Sequence, residues 1–423
     1  MKNACDPDTP MIDVADLRIG LYVYIDSGWM SHPFPLSSFK LQSQEQIAAI
    51  RAMGIGRIRY SPEKSDPPAS EQTSDVPDQS PILTPEQEER QQRRALLQTQ
   101  NARLKACEYQ YDEAAKAFNA LVKHVKVVPD KSRLQARVLV ESVVARLSEL
   151  EESSIRLLSE QVGDRGSMHS VNVLVLSLLL GKASGLSNED LHELGIGALL
   201  HDIGKEELPN RLRWNDEQFT SVERRRYQEH VGHGLETGKT MGLSNAALLC
   251  IAQHHEAANG TGFPLNLVGK KISPLASIVA LTNQYDGLCN PANPAALLTP
   301  HEALSLLFTQ RKQRFDDKTM AVFIRMMGVY PPGSVVQLTD GRYAMVVSVN
   351  SSRPLKPRLI IHDAQVPKEE ALVVDLEKHP DLGVRRSLKP MHLPRPVLDY
   401  LSPRKRICYF FEAASATSGG EES

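Results

Sequence analysis

Residues 187–205 read SNEDLHELGIGALLHDIGK. Ser187 and Asp190 open a helix whose apolar residues include Leu191, Leu194, Ala198 and Leu199. The helix ends in His201-Asp202-Ile203-Gly204-Lys205. A histidine and an aspartate side by side at a helix end, followed by a glycine that lets the chain turn, can aim at one point. Imidazole nitrogen and carboxylate oxygen are natural ligands for a divalent transition metal. Lys205 adds a fixed positive charge close by. A metal pair plus a lysine is what phosphate-ester hydrolysis needs: a water activated at neutral pH and neutralised phosphoryl oxygens.

Working outward, seven of the thirteen histidines (169, 192, 201, 230, 233, 254 and 255) fall in one stretch. His169 stands at the start of an apolar helix, and His254-His255 closes a helix begun at Asn245 (NAALLCIAQHHE). Adjacent histidines diverge by about 100° on a helix, so they can serve two metals, or one metal and a substrate. A single histidine on an apolar helix is usually a hydrogen-bonded core residue, and His192 and His233 are read so. His169, His201-Asp202, His230 and His254-His255 together exceed what chance explains. Gly260 and Gly262 beyond them could let a backbone approach a phosphate closely; an ordinary turn accounts for them equally well.

The rest of the chain divides by composition. Residues 1–61 read as a small α/β domain: a strand over Leu21–Asp26, a helix capped by Ser43 with Ile47, Ile50 and Met53 on its face and Gly54 at its end, and a returning strand over Arg57–Tyr60. Residues 62–85 are rich in Pro, Ser, Asp and Gln and read as a disordered linker. From 86 to 164 the chain is a helical connector. Leu97, Leu104, Cys107, Tyr111, Ala114, Phe118, Leu121, Val125 and Val128 hold a and d positions of one heptad frame, with Gln100 the polar exception. That pattern suits a coiled coil forming a homodimer through 97–128, or a helix packed on its own chain. Pro129 breaks the run. A second helix over 131–162 is expected, with Leu134, Val138, Leu147, Leu150 and Leu157 on its apolar side. Residues 165–331 read as almost wholly helical. Over 332–405 the pattern turns to β: strands at Val335–Leu338, Tyr343–Val349, Arg358–His362 and Leu372–Leu376, with an Asp340-Gly341 turn. Residues 406–423 read as a tail. The fold class is thus mainly α, an all-helical metal-binding domain with a small α/β domain before it and a β appendage after it.

Composition narrows the function. Forty-nine basic against 51 acidic residues give a net charge of −2, so no bulk field favours DNA. The longest apolar run, Val171–Leu180, is too short for a bilayer, which needs about 20 residues, and no membrane insertion is expected. The first residues lack the apolar stretch of a signal peptide. Five cysteines at scattered positions form no CxxC pair, which fits a reducing cytoplasm.

The ordered set H…HD-x-G-K…H…HH…GTGFP resembles the HD-GYP family of bacterial cyclic di-GMP phosphodiesterases, a branch of the HD phosphohydrolases. The segment from Asp13 to Phe39 resembles a domain of unknown function often found upstream of HD-GYP domains, and PPGSVVQLTDGRYAMVV resembles the β tail of that architecture. The resemblance implies an all-helical core with two divalent metals, iron or manganese, and cleavage of cyclic di-GMP to pGpG, sometimes on to GMP, in second-messenger signalling. It makes His169, His201, Asp202, His230, His254 and His255 metal ligands. Lys205 would contact phosphate, and Gly260, Thr261, Gly262, Phe263 and Pro264 would form the signature loop on the substrate side.

The sequence also departs from that pattern. The signature tyrosine is Phe263, and the acid before the loop is Asn259. The family's A-V-A-D-x-x-D-A-L segment reads ALTNQYDGL over 280–288, so the ligand Asp becomes Asn283, a neutral and weaker donor. Arg165 replaces the Glu that supports a third metal in some members, so two metals are expected. The family's phosphate-holding Arg-Pro-Tyr-Arg/Lys segment is missing from Cys289-Asn290-Pro291-Ala292-Asn293-Pro294. These losses leave open a second reading: a degenerate module that binds the nucleotide or a signalling partner protein without cleaving.

Overall fold

Among the described residues, four short antiparallel strands and a helix packed on them make up most of the first of the chain's two units, Met1–Glu88. In chain order they are β1 (Met11–Asp13), β2 (Tyr22–Tyr24), β3 (Ser38–Lys40), α1 (Gln44–Ala52) and β4 (Arg57–Ser61), and the sheet runs β1-β4-β2-β3. The computed structural model describes residues 9–25, 38–52, 56–67, 84–159, 164–214 and 218–414. Ser43 Oγ accepts from the Gln46 amide, as its sequence suggests, and Ile47 and Ile50 enter a core with Val23, Leu41 and Ile58. Met53, Gly54 and most of the expected linker lie outside the described residues.

The second unit, Glu89–Ser423, takes in most of α2 (Pro85–His124), a helix of 40 residues. Its heptad face is consumed within the chain. Cys107, Tyr111, Ala114, Phe118 and Leu121 join the main core, and the Tyr111 hydroxyl donates to the Met168 carbonyl at 3.0 Å. Gln100, the polar exception, is used as well: its amide exchanges bonds of 2.8 and 3.0 Å with the backbone of Val373. The helix-on-its-own-chain reading describes the stretch from Cys107 to Val125, whose apolar side chains meet the chain's own core.

The next helix is shorter than expected. α3 (Pro129–Glu149) buries Ala136, Val140, Val143, Val144 and Leu147, while Leu134 and Val138 face solvent. Residues 153–157, expected as helix, form β5 (Ser153–Leu157), held between two other strands. Pairing on both edges supplies every backbone partner a helix would have given, so tertiary context overrides local pattern.

The helical expectation for 165–331 holds. α4 (Arg165–Ala183) is buried on all sides through Val171–Leu180, as befits a central helix. Around it lie α5 (Asn188–Leu200), α6 (Ser221–Thr240), α7 (Asn245–Gln253), α8 (Pro274–Cys289), α9 (Pro300–Gln310) and α10 (Asp317–Met327). Four C-terminal strands lie where the sequence places them, β6 (Val335–Leu338), β7 (Tyr343–Asn350), β8 (Arg358–Ile361) and β9 (Val373–Asp375), while β10 (Val384–Leu388) is an addition that pairs with β6. After α11 (Arg395–Leu401) comes β11 (Tyr409–Ala413), within the stretch expected as tail. The sheet runs β10-β6-β7-β5-β11, with β8 and β9 off β7. β5 and β11 tie it to the connector, and Tyr409, Phe410 and Phe411 enter the main core. Those aromatics account for the tail becoming strand, since leaving them in water would forfeit the burial of three large side chains. Among the described residues no helix is long and apolar enough to cross a membrane.

Candidate metal centre

Five helices deliver the site. α4 carries His169 in its second turn, α5 runs into His201-Asp202, α6 carries His230, α7 runs into His254-His255, and α8 carries Asn283 and Asp286. The turn after Asp202 lies hard against α6. A Cβ on Gly204 would sit 2.0 Å from the His230 carbonyl oxygen and 2.3 Å from the Gly234 amide nitrogen. Only glycine permits that approach, and it sets the His201-Asp202 pair beside His230.

Asp202 is the centre of the constellation. Its Oδ2 lies 3.4 Å from His169 Nε2 and 3.3 Å from His201 Nε2; its Oδ1 lies 3.5 Å from both His230 Nε2 and His254 Nε2. Two donor groups result, His169-His201-Asp202 and Asp202-His230-His254-His255, sharing the one carboxylate. The far nitrogens are already engaged. Nδ1 of His201, His230 and His254 meets the carbonyls of Ala198, Tyr227 and Ile251 at 2.7, 2.5 and 2.8 Å, and His169 Nδ1 meets Asp286 Oδ2 at 2.6 Å. A carbonyl can only accept, so Nδ1 of His201, His230 and His254 carries the hydrogen and their Nε2 lone pairs point inward.

That arrangement fits divalent metal. His230 Nε2 and His254 Nε2 face each other at 3.3 Å with neither holding a hydrogen to give, and Asp202 Oδ1 and His255 Nε2 are buried with no hydrogen-bond partner. Inward lone pairs and an orphaned carboxylate oxygen ask for cations between them.

Charge follows the same logic. Burial pushes His201 down to about 4 and His230 to about 3, and holds His255 well below its usual range, so all three are neutral donors. Burial also acts to lower His169, but hydrogen bonds with Asp202 and Asp286 prevail and raise it to about 9. Burial acts to raise Asp202, yet Lys205 and His201 keep it well below the carboxylate range. Lys205 Nζ donates to Asp202 Oδ2 at 2.5 Å. The structure thus places this lysine on the carboxylate that the two donor groups share.

The comparisons with known proteins bear on this geometry. Residues 138–319 match the HD domain, and residues 11–133 match a domain of unknown function (DUF3391). The chain carries an HD domain. The DUF3391 match runs past the small N-terminal unit and through α2. The chain is similar to a cyclic di-GMP phosphodiesterase of Pseudomonas aeruginosa, 25% identical over 360 residues, covering 82% of this chain and 84% of the relative. It is also similar to the cyclic di-GMP phosphodiesterase PdeB of Borreliella burgdorferi, 26% identical over 224 residues, covering 52% of this chain and 59% of the relative. An HDG"Y"P protein from Bdellovibrio bacteriovorus covers 75% of this chain and 98% of its own at 17% identity, with a TM-score of 0.38.

Beside the HD dyad, the signature loop is braced from beneath. Glu256 accepts from the Leu265 and Leu267 amides at 2.7 and 2.8 Å. Gly260 has a φ of +77°, and a Cβ on Gly262 would lie 2.4 Å from the Ala257 amide nitrogen. Both glycines are therefore required by backbone geometry. The Phe263 ring stacks on His255, centroids 4.4 Å apart, so the ring in the tyrosine position packs on a candidate metal ligand. Thr261 bonds Asn259 and receives Arg314, and Pro264 closes the turn. His192 and His233 stay outside the HD site, half-buried and not core residues.

Three participants escaped the sequence reading. Asp286 orients His169, Asn172 donates to Asp286 Oδ1 at 2.7 Å, and Trp214 stands edge-on to His169 with centroids 6.3 Å apart. Asp286 had a signal: it is the one acid of the 280–288 segment, three residues after Asn283 and so on the same side of α8. Nothing local marks Asn172 or Trp214.

Proposed function

We propose that this HD domain is a metal-dependent phosphodiesterase that opens cyclic di-GMP to linear pGpG. The observation that carries the reading is the Asp202 carboxylate, shared by two sets of inward-facing histidine nitrogens. The relatives named as cyclic di-GMP phosphodiesterases support the substrate. His169, His201 and Asp202 would hold one ion, and Asp202, His230, His254 and His255 the other, with buried Asn283 as a neutral extra donor; iron or manganese suits such nitrogen and oxygen sets. Divalent metals bound there would supply Lewis acidity and a lowered water pKa.

The chain's own residues do the rest. The backbone carbonyls on Nδ1 fix each imidazole and its tautomer, so little reorganises during the reaction. Lys205 keeps Asp202 ionised and adds positive charge where phosphoryl oxygens gather negative charge. Gly260, Thr261, Gly262, Phe263 and Pro264 would border the substrate side, the two glycines letting the loop fold tightly against the His255–Ala257 backbone and Val268.

A second reading rests on Asn283: a neutral side chain where an acidic ligand would balance metal charge favours binding over turnover. The deciding experiment is hydrolysis of cyclic di-GMP by protein purified anaerobically, with bound metal counted. Conversion to pGpG with about two ions per chain upholds the enzyme. Tight cyclic di-GMP binding by metal-replete protein without product would favour the degenerate module.

A further inference from the structure

Arg165 opens α4 one turn before His169 and is half-buried. Its guanidinium lies 4.3 Å from the centroid of the Trp214 ring and donates to the Asn290 carbonyl at 3.0 Å. The same indole is edge-on to His169 and has Lys205 Nζ 5.5 Å from its centroid. One aromatic ring therefore gathers Arg165, a histidine of the metal centre and the lysine bound to Asp202.

Arg165 has aromatic and carbonyl support. Among the described residues no carboxylate pairs with it; its charged neighbours are Arg406, which opposes its charge, and Asp286, which favours it. Asp286 is already committed to His169, Asn172 and Asn290, at 2.6, 2.7 and 2.9 Å. Arg406 is exposed, with its Nη1 4.0 Å from the sulfur of Met168, the residue before His169. Taking a guanidinium partly out of water is costly without a counter-charge, and a second cation nearby adds to the cost. A cation held rigid by an aromatic face and one carbonyl, with donors to spare, suits a bidentate oxyanion.

We propose that Arg165, backed by Arg406, grips a phosphate of the nucleotide substrate beside the metal pair. The segment Cys289-Asn290-Pro291-Ala292-Asn293-Pro294 holds no lysine or arginine, and its contribution is the Asn290 carbonyl that positions Arg165. The identity of the nucleotide rests on the phosphodiesterase reading above; the anion grip does not.

The test uses the manganese-loaded full chain and the variants Arg165→Gln, Arg165→Lys and Arg406→Gln. Two probes are measured: KM and kcat with cyclic di-GMP, and the Kd of inorganic phosphate by calorimetry, with metal content and thermal midpoint as controls. Arg165→Gln should raise KM and weaken phosphate binding by about 10-fold or more at unchanged metal content, since a charge-assisted hydrogen-bond pair is lost. Arg165→Lys should recover part of both, and Arg406→Gln should show a smaller loss. Phosphate affinity within about twofold of the parent in both glutamine variants overturns the proposal, as does a parent protein that binds no phosphate. If Arg165→Gln does not fold, Arg406→Gln decides, since that side chain is exposed. If the parent hydrolyses no cyclic di-GMP, the functional reading fails separately, and the phosphate measurement still upholds or overturns the grip.

Discussion

Asp202 has more demands on it than any other side chain in the centre: four histidine nitrogens lie within 3.5 Å of its oxygens, and Lys205 holds one of them. Its ionisation is secured by that lysine, and the burial that would neutralise it is overcome. Asn283 is the position where this balance departs from the family pattern. Asn283→Asp should raise metal affinity and phosphodiesterase rate together, by about tenfold or more in rate, because the added charge would sit beside dications. Metal titration and steady-state kinetics on the same preparation check this. An unchanged rate in a folded, metal-replete variant would show that the neutral residue does not limit turnover.

Helix ends do most of the positioning. His201-Asp202 and His254-His255 both follow the last turn of a helix, and His169 sits near the start of α4, where Asp164 is the cap. The Asp164 carboxylate accepts from the Gly166 and Ser167 amides at 2.9 and 3.2 Å and from Asn119 on α2 at 2.5 Å. Burial acts to raise its pKa, but these bonds prevail and lower it. A carboxyl whose folded pKa is depressed stabilises the fold fully above its unfolded value, near 3.9, and loses that contribution as pH falls through the folded value. Asp164→Ala should therefore cost about 1 kcal/mol at pH 7, and the gap to the parent should close below pH ~4. Denaturant unfolding at the two pH values measures it; a gap that persists in acid would mean the ionised cap is not its source. The helices and the clustered histidines that are candidate ligands were legible in sequence because apolar periodicity and paired histidines are local signals. β5 was not, since its strand character comes from β7 and β11, and Asn172 was not, since its partners arrive from α2, α8 and the C-terminal segment.

At the scale of the HD-bearing unit, the C-terminal segment is hydrogen-bonded to the candidate metal centre. Asn172 and Asn290 bond Asp286 on one side and the Ile407 carbonyl on the other, at 2.7 to 2.9 Å. Ending the chain after Lys405 would remove β11 and both of those C-terminal contacts. The shortened protein should lose metal affinity along with thermal stability, read by metal analysis and a melting curve. Equal midpoints and full metal content would show that residues 406–414 are dispensable. Whether one carboxylate serves two ions is decided by metal counting on two variants. The parent should hold about two ions per chain, His169→Gln about one, and Asp202→Ala essentially none. An Asp202→Ala protein that keeps two ions would contradict the shared-carboxylate centre.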